Sequence, residues 1–160
     1  MADDIQYLVR ISGDTAYMSV LGKATYLNCQ EAGRFFNLAI AKNCRYLRLD
    51  FYACTGMDST FMGMIAGITL KLSSVGGTVT LYNLKARNLE LIENVGLNHI
   101  LKISEECDFN APADASSLPS AAVCKDAILE AHENLISANP DNARKFEDVI
   151  KFLKAEEGEA

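Results

Sequence analysis

Between residues 45 and 103 the apolar residues switch repeatedly between a spacing of two and a spacing of three to four, and this rhythm leaves few folds open. Tyr46 to Tyr52 reads YLRLDFY, with Leu47, Leu49 and Phe51 alternating against Arg48, Asp50 and Tyr52. Ser59 to Ser73 reads STFMGMIAGITLKLS, a helix with Met62, Ile65, Ala66, Thr69 and Leu70 along one face. Thr78 to Tyr82 (TVTLY) predicts a strand, and Leu84 to Val95 an amphipathic helix on Leu84, Leu89, Leu91, Ile92 and Val95. His99 to Ile103 (HILKI) predicts a short last strand. Gly76-Gly77 and Gly96 stand where helices must stop, because glycine takes the left-handed cap conformation without a Cβ penalty. Such alternation specifies an α/β sheet with right-handed crossovers.

The first forty residues modify that sheet. Gln6 to Ile11 (QYLVRI) and Thr15 to Leu21 (TAYMSVL) flank the turn signal Ser12-Gly13-Asp14, which predicts a hairpin and therefore a mixed sheet. Gly22-Lys23-Ala24-Thr25 then breaks the strand pattern. Asn28 is placed to cap a helix running to about Lys42, with Ala32, Phe35, Phe36, Ala39 and Ile40 inward. Gly63 and Gly67 sit four apart inside the apolar helix. Each costs about 1 kcal/mol relative to alanine, so close approach to the sheet or to a partner is the physical reason to keep them.

Beyond residue 104 the character changes. Ser104 to Ser120 (SEECDFNAPADASSLPS) is rich in turn formers and reads as a linker. Ala121 to Ser137 predicts a helix with Val123, Ala127, Ile128, Ala131 and Leu135 on one face. Asn139-Pro140-Asp141 breaks it, and Phe146, Val149, Ile150 and Leu153 make a second amphipathic helix. The organisation expected is therefore an α/β domain over residues 1–104, a linker over 105–120 and a two-helix extension over 121–156. The hairpin's apolar faces must cover each other, the sheet or another chain, which includes a homodimer through these helices.

Composition narrows function. The net charge of −6 leaves no basic patch to release counterions from nucleic acid, or to hold a polybasic anchor on a membrane. No apolar run reaches membrane-spanning length, and the acidic start Met1-Ala2-Asp3-Asp4 is not a signal peptide. Five cysteines (Cys29, Cys44, Cys54, Cys107, Cys124) without a C-x-x-C pair argue for reduced, mostly buried thiols and a cytoplasmic protein rather than a zinc or disulfide framework. Asp50 and Asp58 have no third ligand in view, and Gly76-Gly77 matches neither a Walker loop nor a dinucleotide fingerprint. No cofactor or metal is expected.

The stretch Thr55-Gly56-Met57-Asp58-Ser59-Thr60-Phe61-Met62-Gly63 joins a strand to the apolar helix. Asp58 or Ser59 can cap that helix by accepting from its free backbone N–H groups. The same N-terminal field also favours a phosphate, so the hydroxyls of Ser59 and Thr60 can equally be sites of modification. Catalysis is the weaker reading: Ser59 lacks a G-x-S-x-G elbow, and neither His99, before a strand, nor His132, in the C-terminal hairpin, is set by sequence as its base.

Taken in order, the hairpin, the run LRLDFYACTGMDSTFMG, the Gly76-Gly77 turn and the segment ENVGLNHILKI with its Gly96-Leu97 pair resemble the STAS domain. This is the family of anti-sigma-factor antagonists and sulphate-transporter tails, and the resemblance covers about residues 5 to 103. It implies a bacterial, non-enzymatic signalling module of mixed α/β fold. In stand-alone members the serine after the Asp is phosphorylated by a kinase that is also an anti-sigma factor, and a cognate metal-dependent phosphatase restores it. The matching serine is Ser59, with Thr60 as the adjacent hydroxyl, and Asp58, Ser59, Thr60, Phe61, Met62 and Gly63 as the implied partner surface. Phe61 and Met62 stand where the family usually has Gly and Leu. A phenylalanine there is expected to narrow access to the serine or to enlarge the docking patch. The competing expectation is a constitutive scaffold or stressosome-like assembly subunit that uses its tail. A small-ligand or lipid sensor is a third class, which nothing specific in the sequence favours.

Overall fold

The structure, a computed structural model, describes residues 5–105 and 114–158. Cys107 and residues 106–113 of the segment read as a linker lie outside the described residues. The chain opens with β1 (Gln6–Ser12) and β2 (Thr15–Ala24), an antiparallel hairpin in which Tyr7 faces Val20 and Val9 faces Met18. After α1 (Gln30–Ala41), β3 (Tyr46–Asp50) lies parallel to β2 on its other side. Then come β4 (Cys54–Met57), α2 (Ser59–Ser73), β5 (Thr78–Tyr82), α3 (Ala86–Asn94), a 3-10 turn (Leu97–His99) and β6 (Lys102–Ile103). The strand order is β6-β5-β3-β2-β1-β7, where β7 is Ser116–Ser117, and β4 pairs with the end of β2. Antiparallel at β1 and parallel from β2 to β6, the sheet is mixed as expected.

One face of the sheet is apolar. Tyr7, Val9, Ala16, Met18, Val20, Leu47, Leu49, Val79 and Leu81 are all buried, and strand register puts them on the same side. α1 and α2 cover that face: the Phe61 ring of α2 lies 6.0 Å from Tyr7 and 6.5 Å from Phe36 of α1. On the opposite face Arg48 stacks over Tyr17, with 5.9 Å between guanidinium carbon and ring centre. Alternation along each strand produces this two-sidedness, because successive side chains point to opposite faces.

The C-terminal helices add a further layer. α4 (Lys125–Ala138) lies across α2, and α5 (Asn142–Gly158) lies against α4. This arrangement explains the glycines of α2. A Cβ on Gly63 would overlap the Ala131 carbonyl, and one on Gly67 would overlap the Asn134 amide. The partner whose close approach these glycines permit is thus a helix of the same chain.

Five local expectations change. Gly22–Thr25 does not end β2, which continues to Ala24 through a register shift at Gly22/Lys23 and so provides an edge for β4. β4 forms where the sequence predicts only a connection, since it pairs with that shifted end of β2. Asn28 does not cap α1. Its Oδ1 accepts from the Tyr7 hydroxyl and the Thr25 N–H, its Nδ2 donates to the Lys23 carbonyl, and Cys29 is the capping residue without a side-chain bond. A buried amide with a tertiary donor within reach satisfies itself there rather than at the helix end. In HILKI only Lys102–Ile103 is strand, and His99 closes a 3-10 turn. Residues 116–123 are tied to the sheet unit: β7 pairs with β1, Leu118 N–H donates to the Tyr7 carbonyl, and Ala121 bridges Cys29, so the helix begins at Lys125.

Candidate functional site

Asp58 organises the start of α2. In extended conformation at the N-cap, it accepts the Phe61 N–H on Oδ1 at 3.0 Å and the Tyr26 N–H on Oδ2 at 2.8 Å. One carboxylate therefore caps the helix and fixes the loop between β2 and α1 beside it. Such a cap contributes about 1 kcal/mol. Ser59 follows as the first helical residue and is half-buried.

The neighbours of Ser59 divide by depth. Phe61 is fully buried in the core between Tyr7 and Phe36, so it neither narrows access to the serine nor enlarges a surface patch. Its aromatic bulk fills space above the sheet, where full burial is worth about 1.5–3 kcal/mol. Thr60 and Met62 are buried at 3% and 5% exposure, and Gly63 lies against α4. Of the six residues Asp58 to Gly63, only Asp58 and Ser59 retain intermediate exposure.

The residue that sequence reasoning did not connect to this site is His132. Its Nε2 lies 2.8 Å from Ser59 Oγ, and its Nδ1 lies 2.8 Å from the Ile128 carbonyl oxygen. A carbonyl only accepts, so Nδ1 carries the proton in the neutral ring and Nε2 accepts the Ser59 hydroxyl. The His132 ring meets Phe146 of α5 edge-on at 5.0 Å. A span of 73 residues separates Ser59 from His132, and no local spacing could reveal the pair. The available signal was Gly63 and Gly67, which require a close neighbour and so point toward whichever helix covers α2.

The pair has the elements of a nucleophile and base. His132 is 3% exposed and walled by Phe146. The groove between α1, α2 and α4 is lined by Arg34, Met64, Lys71, Glu130 and Asn134 among others, and Ser59 is not on its wall. Asp50 accepts from the Tyr52 N–H and Asn83 Nδ2 and so serves its own turn. Among the described residues no cluster of three His, Cys, Asp or Glu side chains could hold a metal ion. Nor, among them, is any helix long and apolar enough to cross a membrane.

Burial sets the thiol chemistry. Burial, with the Asp58 carboxylate adding to it, pushes the Cys29 thiol up to about 12, and burial also raises Cys54 and Cys44. These three stay protonated, while Cys124, which precedes α4, is exposed. Burial likewise pushes the Tyr7 phenol above its usual range.

Comparison with known proteins agrees with this fold. The phosphorylated form of the Bacillus cell-fate determinant SpoIIAA superimposes with a TM-score of 0.52 at 18% identity, covering 62% of this chain and 92% of that one. An anti-sigma factor antagonist from Mycobacterium paratuberculosis gives 0.52 at 20% identity, covering 66% and 90%. At such identities the likeness speaks to fold. No curated protein matches the chain. The model of the STAS domain matches residues 7–109, well over half of the sequence. With its mixed sheet, its capped strand-to-helix junction and this match, the chain belongs to the STAS-domain family.

Proposed function

We propose that this protein is a non-enzymatic regulator of the anti-sigma-factor-antagonist type, switched by phosphorylation of Ser59. Its partners are a serine kinase that doubles as anti-sigma factor, and a cognate phosphatase. The observation that carries the reading is the position of Ser59: a half-buried hydroxyl in the first turn of α2, directly after a capping Asp58. Thr60, at 3% exposure, is the poorer acceptor. In the transfer, Ser59 Oγ attacks the γ-phosphorus of ATP held by the kinase. The new O–P bond forms as the bond to ADP breaks, and the hydroxyl proton passes to a base. Water later returns the serine and releases inorganic phosphate on the phosphatase.

The charge argument is local. Asp58 Oδ1 and Oδ2 already occupy the N–H groups of Phe61 and Tyr26. A phosphate adds about −1.5 to −2 charge beside that carboxylate. A partner that docks on Asp58 and Ser59, the two residues of this stretch that keep exposure, would then meet two adjacent negative groups while the sheet beneath stayed folded. Net charge of −6 favours a protein partner over nucleic acid, and the buried free thiols suit the cytoplasm.

The test incubates the full chain with ATP and a serine kinase of the anti-sigma-factor type. Mass spectrometry is expected to find one phosphate on Ser59, and none in Ser59→Ala. Ser59→Asp is expected to bind the kinase about tenfold or more weakly than Ser59→Ala, a difference of about 1.4 kcal/mol. An unphosphorylated Ser59 together with equal affinities would overturn the switch. That outcome would favour the second reading, a constitutive scaffold or assembly subunit. Its support is the pair Val149 and Phe152 on α5, apolar side chains left 39% and 62% exposed.

A further inference from the structure

The outward face of α2 already has an occupant. α4 crosses it at Gly63 and Gly67, where the Ala131 carbonyl and the Asn134 side chain take the space a Cβ would fill. Asn134 Nδ2 donates to the Gly63 carbonyl at 3.3 Å. At the N-terminal end His132 holds the Ser59 hydroxyl, and Phe146 of α5 braces the His132 ring from behind. The far end of the hairpin is fastened separately. Asn142 Nδ2 donates to the carbonyls of Val95 and Leu135, and Lys145 Nζ to that of Asn94.

We infer that α4 and α5 form a built-in competitor for the Ser59 face. Docked, the hairpin shields the serine; released, it uncovers the same face for the kinase. The inference rests on the Ser59 reading above and extends it by naming what regulates the site. A phosphoryl group and the docked hairpin exclude each other. With Oγ only 2.8 Å from Nε2, no phosphorus atom with its oxygens fits between them. By linkage, the factor by which docking weakens kinase binding is the factor by which kinase binding weakens docking.

Three observations favour a detachable cover over an integral layer. At Ser59, Gly63 and Gly67 the crossing uses small residues (Gly63, Gly67, Ala131) and polar side chains (Ser59, His132, Asn134), while Leu135 of α4 is the side chain fully buried in the apolar core. Residues 118–123 are hydrogen-bonded to Tyr7, Tyr26 and Gln30, bonds that do not involve α4 and leave a tether if it lifts. The family match ends at residue 109, before either helix begins.

Hydrogen exchange on the full chain tests this without a kinase. In Ser59→Glu and, separately, in Gly63→Ala, amides of 125–155 are expected to exchange about tenfold or more faster, while those of β1, β2, β3 and β5 keep their rates. Two results overturn the proposal. One is α4 protection unchanged in both variants. The other is loss of sheet and α4 protection together, which makes the hairpin part of a single cooperative core. Neither result bears on whether a kinase modifies Ser59, which the mass measurement decides on its own.

Discussion

α1 and α2 are neighbours over the same sheet face, yet they are built differently. α1 buries four of its twelve residues and turns Arg34, Asn37 and the half-exposed Leu38 outward. α2 buries ten of fifteen, including residues that face away from the sheet, because α4 lies over it. An amphipathic stripe suffices for a helix with one neighbour, whereas a helix that is apolar all round needs a second. The comparison separates the face that builds the fold from the face that offers function. The inner side of α2 is core, and its outer side is a surface that this chain covers with its own tail.

The largest expected effect tests the inner faces. Phe61→Ala removes a ring that meets Tyr7 and Phe36 and should cost about 3–5 kcal/mol. Leu38→Ala on the outer side of α1, at 47% exposure, should cost no more than about 0.5 kcal/mol. Urea denaturation of both variants checks the contrast, and equal losses would break it.

A smaller effect tests the outer faces with one chemical change. Gly63→Ala gains about 1 kcal/mol of helix propensity but drives a methyl into the Ala131 carbonyl. Backbone cannot swing aside, so a net loss of about 1–3 kcal/mol is expected. Gly33→Ala on α1 meets only the end of the Met64 side chain, at 3.1 Å. That chain can rotate away, so the melting temperature should hold or rise. A Gly63→Ala variant as stable as Gly33→Ala would mean that α4 does not hold its place on α2.

The third difference is silent at neutral pH. α2 starts on a carboxylate that caps, and α1 on a buried thiol that does not. The Cys29 thiol ionises near 9.0 when freed and only near about 12 in the fold. A raised acid favours the fold while the unfolded chain stays protonated, so this contribution is complete below about pH 9 and is lost as pH climbs toward 12. Tyr7, raised in the same direction, adds to the loss. Stability followed across alkaline pH should fall in that window, and Cys29→Ala should make the fall shallower. A flat curve would mean that the thiol is not held protonated at the start of α1.

Much of the fold was legible because it depends on local periodicity. The strand at Tyr46, the helix over Ser59–Ser73 and the stops at Gly76 and Gly96 follow from alternation, helical spacing and left-handed glycine. The misreadings share a cause. β4 forms only because the shifted end of β2 lies beside it, and Asn28 turns away from its helix because Tyr7 reaches it from another strand. In both, a partner distant in the chain outbids the local preference.

The junction at Ser59 shows the same division. Its sequence alone determined a capped helix start, a hydroxyl in a field that favours a phosphate, and glycines that demand a close neighbour. Only the tertiary structure decided that the neighbour is α4, that Phe61 turns into the core, and that His132 closes on Ser59. Capping and glycine conformation act within a few residues, so they are written in the local order of the chain. The His132 contact spans 73 residues and exists only once two helices have crossed.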